Sequence, residues 1–199
     1  GKTATYSILT YGFDPRNMKY SPFIGSQYSV LSSMAKTVAC GGVIDNIYFS
    51  FQEYFEKLLK EPERWGKVAQ ALLGAIKVLD SFNKASIGGK DSMSGTFNQY
   101  HVPPTLISFA CSKGSVKNII TPEFKQVGNK LGVYLPKINE KGLPDLDSYK
   151  EIFEAVEKGI AAKKIKSAYV VENGGSLTAL FKMSFGTGLG FEVNHAQLL

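Results

Sequence analysis

Five consecutive residues, Gly88-Gly89-Lys90-Asp91-Ser92, gather two glycines, a cation, a carboxylate and a hydroxyl within the stretch IGGKDSMSG. Paired glycines let backbone N–H groups turn together toward an anion. Lys90 adds a point charge and Ser92 a hydroxyl donor. Asp91 suits either a magnesium ion or the orientation of Lys90. The alternative is a plain loop whose Asp91 and Ser92 bond to their own backbone. Two further places carry candidate chemistry. Gln52 and Glu53 end an aromatic-rich strand in SFQEYFEKL, where a carboxylate either faces a cleft or lies on a solvated rim. Asn173, Gly174 and Gly175 belong to ENGG, a strand-to-helix turn that fits a phosphate or an ordinary helix cap.

Several familiar sites are excluded. There is no G-x-S-x-G elbow, and neither His101 nor His195 sits in a pattern that activates a serine. The phosphate loop G-x-x-x-x-G-K-[ST] needs a glycine at position 84, which is Lys84, and a hydroxyl after Lys90, where Asp91 stands. GTGLG, with Gly186, Gly188 and Gly190, runs from helix into strand, the wrong order for a dinucleotide fingerprint. Two histidines and two cysteines without paired spacing argue against a zinc site. Cys40 and Cys111 lie far apart in apolar surroundings and are expected as buried, reduced thiols.

The elements that must position these residues follow from periodicity. Residues 3–11 alternate and read as a strand. Ser21-Pro22 offers a helix start, Val30, Leu31, Met34, Ala35 and Val38 share one face, and Gly41-Gly42 stops the helix. Residues 44–51 alternate again. Pro62 opens a helix whose stripe is Trp65, Val68, Ala69, Leu72, Leu73, Ile76 and Leu79. TLISFAC is apolar on both faces, the mark of a central strand. After Cys111 the texture turns polar, which places a boundary near residue 117. Beyond it, Leu131, Val133 and Leu135 predict a strand, Ser148 and Glu151 a capping box before a helix, SAYVV a strand, the ENGG turn a further helix, and LGFEV a strand. The expected class is α/β (α+β), with two incomplete subdomains over residues 1–117 and 118–199.

Of the 199 residues, 44% are hydrophobic and 20% charged, which fits a folded, water-soluble chain. No apolar run approaches the roughly 18 residues of a membrane span, and no signal peptide is visible. The chain opens on Gly1 and already reads as strand by Thr3, which leads us to expect a piece of a longer protein. The net charge is +6, but the lysines are scattered. Their densest group, Lys163, Lys164 and Lys166, ends a predicted helix, where cations suit the helix dipole. That balance fits a phosphate-bearing ligand at least as well as a nucleic acid.

Taken together, SPFIGSQYSVLSSMAKTVACGG, FSFQEYFEKL, PERWGKVAQALLGAIKVLDSF, IGGKDSMSGTF, VPPTLISFA and NGGSLTALFKMSFGTGLGFEV resemble phosphoribosylformylglycinamidine synthase of the large, single-chain type. That family belongs to the aminoimidazole ribonucleotide synthetase superfamily, whose domain pairs join an N-terminal and a C-terminal α/β half. The resemblance implies a cytoplasmic, ATP- and Mg²⁺-dependent ligase of purine biosynthesis. It activates the amide oxygen of formylglycinamide ribonucleotide and replaces it with ammonia drawn from glutamine. The chain matches the second domain pair. The family's histidine-bearing ETHNHP-type segment and glutaminase motif do not occur in it, so the piece alone is expected to be inactive, with no catalytic residue or metal ligand assigned. A non-catalytic scaffold or auxiliary ligand-binding half is the alternative. The resemblance carries nucleotide or phosphate binding onto Gly88, Gly89, Lys90, Asp91 and Ser92, with Gln52, Glu53, Asn173, Gly174 and Gly175 as cleft-lining positions. Many members hold a magnesium-nucleotide through Glu and Asn one turn apart on the first long helix. Ser32 and Lys36 stand there, and Asn173 replaces an Asp. No nucleic-acid or membrane partner is implied. An unpaired edge strand over residues 3–11 suggests self-association.

Overall fold

The computed structural model describes residues 2–193; His195 lies outside them. The first half contains β1 (Thr5–Gly12), α1 (Pro15–Tyr20), α2 (Pro22–Ala39), β2 (Tyr48–Tyr54), α3 (Pro62–Ser81) and β3 (Ser86–Ser92). A small hairpin of β4 (Thr96–Phe97) and β5 (Tyr100–His101) precedes β6 (Thr105–Ser115). Two helices follow, α4 (Leu146–Ala161) and α5 (Gly175–Phe185).

The main sheet has the order β1-β6-β2-β3. Strand β6 is antiparallel to both β1 and β2, while β3 runs parallel to β2. The expected central position of TLISFAC is met: β6 carries Leu106, Ser108, Ala110 and Ser112 on its buried face. Helix α2 covers that face, starting where Ser21 accepts from Ile24 N–H and Pro22 takes the first turn. Small residues bring helix and sheet unusually close. A Cβ on Gly12 would lie 2.2 Å from the Ser29 carbonyl oxygen. Hydroxyls fill the contact: Thr10 Oγ1 donates to the Ser33 carbonyl at 2.8 Å, and Ser33 and Ser108 hydroxyls meet at 2.9 Å.

The contact between α2 and α3 corrects the predicted stripe. Val68, Ala71, Gly74, Ala75, Val78 and Leu79 are the buried face of α3, whereas Trp65, Leu72, Leu73 and Ile76 stay exposed. A Cβ on Gly74 would sit 2.1 Å from Ser26 Oγ and 2.2 Å from the Phe23 carbonyl oxygen. The helix therefore turns its small residues inward, because two helices approach most closely where side chains are smallest, and most of its large residues stay outside the contact.

Three predicted strands, at residues 131–135, 167–171 and 189–193, do not form. Among the described residues the second half contains only an isolated bridge between Ile138 and Pro144. A strand needs a hydrogen-bonding neighbour as well as an alternating pattern, and Val133 and Leu135 remain exposed instead. The predicted capping box is also replaced. Asp145 caps α4, accepting from Asp147 and Ser148 N–H, while Ser148 Oγ accepts from Lys137 N–H. Helix α4 docks on the first half through Phe153, which joins the main core beside Phe82. Cys40 and Cys111 are unbonded but exposed, not buried: Cys40 caps α2 and Cys111 points away from the helix-covered face of β6.

Candidate functional site

The stretch read as a loop is the edge strand β3. Its register on β2 pairs Phe51 with Gly89, Gln52 with Lys90, Glu53 with Asp91 and Tyr54 with Ser92. The two sequence-predicted groups are therefore one site, brought together by a parallel ladder. Successive amides of an extended strand point in opposite directions, so Gly88 and Gly89 do not form an N–H cradle. Gly88 N–H instead meets Ser86 Oγ at 3.4 Å. Gly89 is required for another reason, since a Cβ there would lie 2.7 Å from the Phe51 carbonyl oxygen.

Alternation divides the site between the two faces of the sheet. Lys90 and Gln52 share the face away from α2; Lys90 is exposed and takes part in no ion pair among the described residues, and Gln52 Nε2 donates to the Tyr54 hydroxyl at 2.6 Å. Glu53 and Asp91 share the helix-side face. Glu53 is no solvated rim residue: it is 1% exposed, and neither carboxyl oxygen has a hydrogen-bond partner among the described residues. Burial, reinforced by the adjacent Asp91 carboxyl, pushes its pKa up to about 8. A cleft of about 580 Å³ opens beside it between β2, β3 and α3.

A second polar cluster went unread in the sequence, although Glu56 lies in QEYFEKL and Arg64 and Lys67 in the helix after it. Glu56 accepts from Lys67 Nζ at 2.5 Å and pairs with Arg64 at 3.2 Å, with His101 Nδ1 at 3.6 Å. Burial opposes ionisation of Glu56, but the Lys67 hydrogen bond and the nearby Lys67, Arg64 and His101 charges pull its pKa below the ordinary carboxylate range. This network ties the start of α3 to the β4–β5 hairpin.

The ENGG turn meets α1 and α2. Lys36 Nζ lies 2.7 Å from Glu172 Oε1, donates to the Tyr11 carbonyl at 3.0 Å and sits over the Tyr11 ring. Arg16 donates to Asn173 Oδ1. Gly174 and Gly175 hold φ of +95° and +70°, which only glycine adopts without strain, and α5 starts there without a side-chain cap. A magnesium ion does not fit this set. The Lys36 ammonium already neutralises the Glu172 carboxylate, Ser32 and Asn173 supply only neutral oxygens, and among the described residues no three His, Cys, Asp or Glu side chains are grouped to hold a metal.

No family model matches the chain. It is 23% identical over 201 residues to phosphoribosylformylglycinamidine synthase subunit PurL of Thermococcus sibiricus, covering 91% of this chain and 27% of that protein. It is 24% identical over 214 residues to the PurL subunit of Methanocaldococcus jannaschii, covering 94% of this chain and 28% of the other. The chain thus spans a little over a quarter of the length of these curated relatives. Among solved structures, Thermotoga maritima PurL complexed with FGAR superposes with a TM-score of 0.70 at 12% identity, over 90% of this chain and 31% of that one. The same protein complexed with AMPPCP gives 0.68 at 13% identity, over 92% and 31%. The chain shares the mixed α/β fold of these structures.

Proposed function

We propose that this chain is part of a phosphoribosylformylglycinamidine synthase and serves the ATP-dependent conversion of formylglycinamide ribonucleotide to the amidine in purine biosynthesis. The observation that carries this reading is the match to PurL along nearly the whole chain, in sequence to two curated relatives and in fold to the FGAR-complexed structure. In this reading the parent is the large, single-chain, cytoplasmic type, takes ammonia from glutamine, and uses ATP with Mg²⁺ held outside the residues described here. Residues 1–117 and 118–199 belong to its two synthetase-like halves. No helix of the described residues is long and apolar enough to cross a membrane, and neither a membrane nor a nucleic acid has a part in the proposal.

The phosphate-binding role falls on Lys90 and Ser92, supported by the exposed edge position of Lys90, which has no ion-pair partner among the described residues. Asn173, Gly174 and Gly175 line the second turn. The scaffold reading for this piece is favoured at that turn by the Lys36–Glu172 pair, which supplies internally the positive charge that a bound metal would bring.

Formation of the amidine and ADP is the readout for both. The parent should consume formylglycinamide ribonucleotide, glutamine and ATP, whereas the isolated chain should release no ribonucleotide-dependent phosphate. Lys90→Ala in the parent should weaken nucleotide or turnover by about tenfold, the loss of one charge-assisted hydrogen bond. A folded variant with unchanged kinetics assigns the strand a structural role, and a parent without ligase activity overturns the proposal.

A further inference from the structure

The helix-side cleft lies on the opposite face of β3 from Lys90, and its chemistry is distinct. Glu53 is buried with both oxygens unpartnered, and its cross-strand neighbour Asp91 is a second acid. Once both are ionised, the two carboxylates have no hydrogen to donate to each other. What the pair lacks is a cation. Lys84 lines the same cleft but is engaged by Asp45, through its carbonyl at 3.0 Å and its carboxylate at 3.9 Å. Lys90 points to the other face. Asp80 adds a third acid to the lining, so three carboxyls stand against one committed lysine. The remaining wall is apolar: Leu72, Ile76 and Leu79 of α3 and Phe51 of β2, with Leu72 and Ile76 still 40% and 55% exposed.

We propose that the cleft between α3 and the β2–β3 ladder binds an organic primary ammonium with a short apolar body. Its charged head takes the place between Asp91 and Glu53, and its body covers Leu72 and Ile76. Asp91 is the exposed, outer member and Glu53 the buried, inner one. An ammonium arriving from solvent therefore meets Asp91 first. The volume of about 580 Å³ leaves room for several carbons behind the head. A divalent metal is disfavoured because it requires six or more oxygen ligands and no third ligating side chain is grouped with the pair.

The proton balance is explicit. At neutral pH Glu53, with its pKa pushed up to about 8, carries a proton, and the ammonium replaces it: R–NH₃⁺ binds, one H⁺ leaves to the buffer, and no carbon–heteroatom bond changes. Asp91 from β3 is the charged group beside Glu53, and Asp80 from α3 and Lys84 just beyond it also line the cleft. Affinity therefore rises with pH until Glu53 is ionised without the ligand.

The test titrates this 199-residue chain with n-butylammonium and, as the uncharged control, 1-butanol, calorimetrically at neutral pH in two buffers of different ionisation enthalpy. Saturable butylammonium binding is expected, about tenfold or more tighter than butanol, with close to one proton released per amine. Glu53→Gln should abolish both the preference and the proton release. Asp91→Asn, at an exposed position, supplies the same check if the first variant is unstable. Equal binding of amine and alcohol, retention of the preference in both variants, or no binding of the amine at millimolar concentration each overturns the proposal. None of these outcomes bears on the synthase reading, which is assayed on the parent.

Discussion

Glu53 shows how one side chain couples burial to pH. Its folded pKa of about 8 lies above that of an unfolded glutamate. The folded state therefore binds the extra proton between those two values, and stability falls as pH rises through that window, by up to about 1.4 kcal/mol per pH unit. Below the unfolded value and above about 8 the contribution is flat. Glu53→Gln should remove this slope and stabilise the chain most at alkaline pH; urea melts at a series of pH values read it directly. An unchanged slope in the variant would place the titration elsewhere. The sequence made Glu53 visible as a carboxylate at a strand end, but not as buried, because burial depends on α3 arching over the strand. Lys36 was visible for the opposite reason: its place one turn from Ser32 was legible in helical spacing, whereas its partner Glu172 comes from far along the chain.

At the scale of elements, the glycines separate by what surrounds them. Gly74→Ala drives a Cβ into the Phe23 carbonyl and Ser26, and forcing α2 and α3 apart should cost about 1–3 kcal/mol. Gly89→Ala meets the Phe51 carbonyl and should also destabilise, while Gly88→Ala meets nothing within 4 Å and should leave stability unchanged or slightly raised. Chemical denaturation of the three variants checks the order, and a Gly88→Ala as damaging as Gly74→Ala would count against the register. Strands β1, β2 and β6 and helices α2 to α5 were legible because their signals are local: alternation, a Ser-Pro start, a glycine stop. The face of α3 was not, since large apolar residues dominate a periodicity count while the actual contact selects for small ones. Helix α1 and the β4–β5 hairpin were missed because six-residue and two-residue elements leave too little pattern to read. IGGKDS was taken for a loop because glycine and aspartate are poor strand formers. Pairing with β2 overrides that preference.

At the scale of the whole molecule, the described residues leave the sheet face turned away from α2 uncovered. Leu9, Tyr11 and Tyr48 are 73%, 53% and 62% exposed, and both β1 and β3 are edges with one free side. Apolar surface of this kind beside open edges favours association. Light scattering over a wide concentration range should show species larger than the monomer, and Leu9→Lys should shift them toward it. A strict monomer at every concentration would argue that the face is tolerated bare. The second half explains why three strand predictions failed together: their alternation is real in sequence, but the described residues supply no neighbouring strand.

The β1–β6 ladder also sets a timetable. Strand β1 has one neighbour, and Thr5 waits for Ser115, roughly a hundred residues downstream. At a synthesis rate of about 5–20 residues per second, β1 emerges from the ribosome roughly 5–20 s before its partner exists. During that interval α2 is the earliest surface on which it can rest, which gives Gly12 and Thr10 a task on the nascent chain before the sheet has formed.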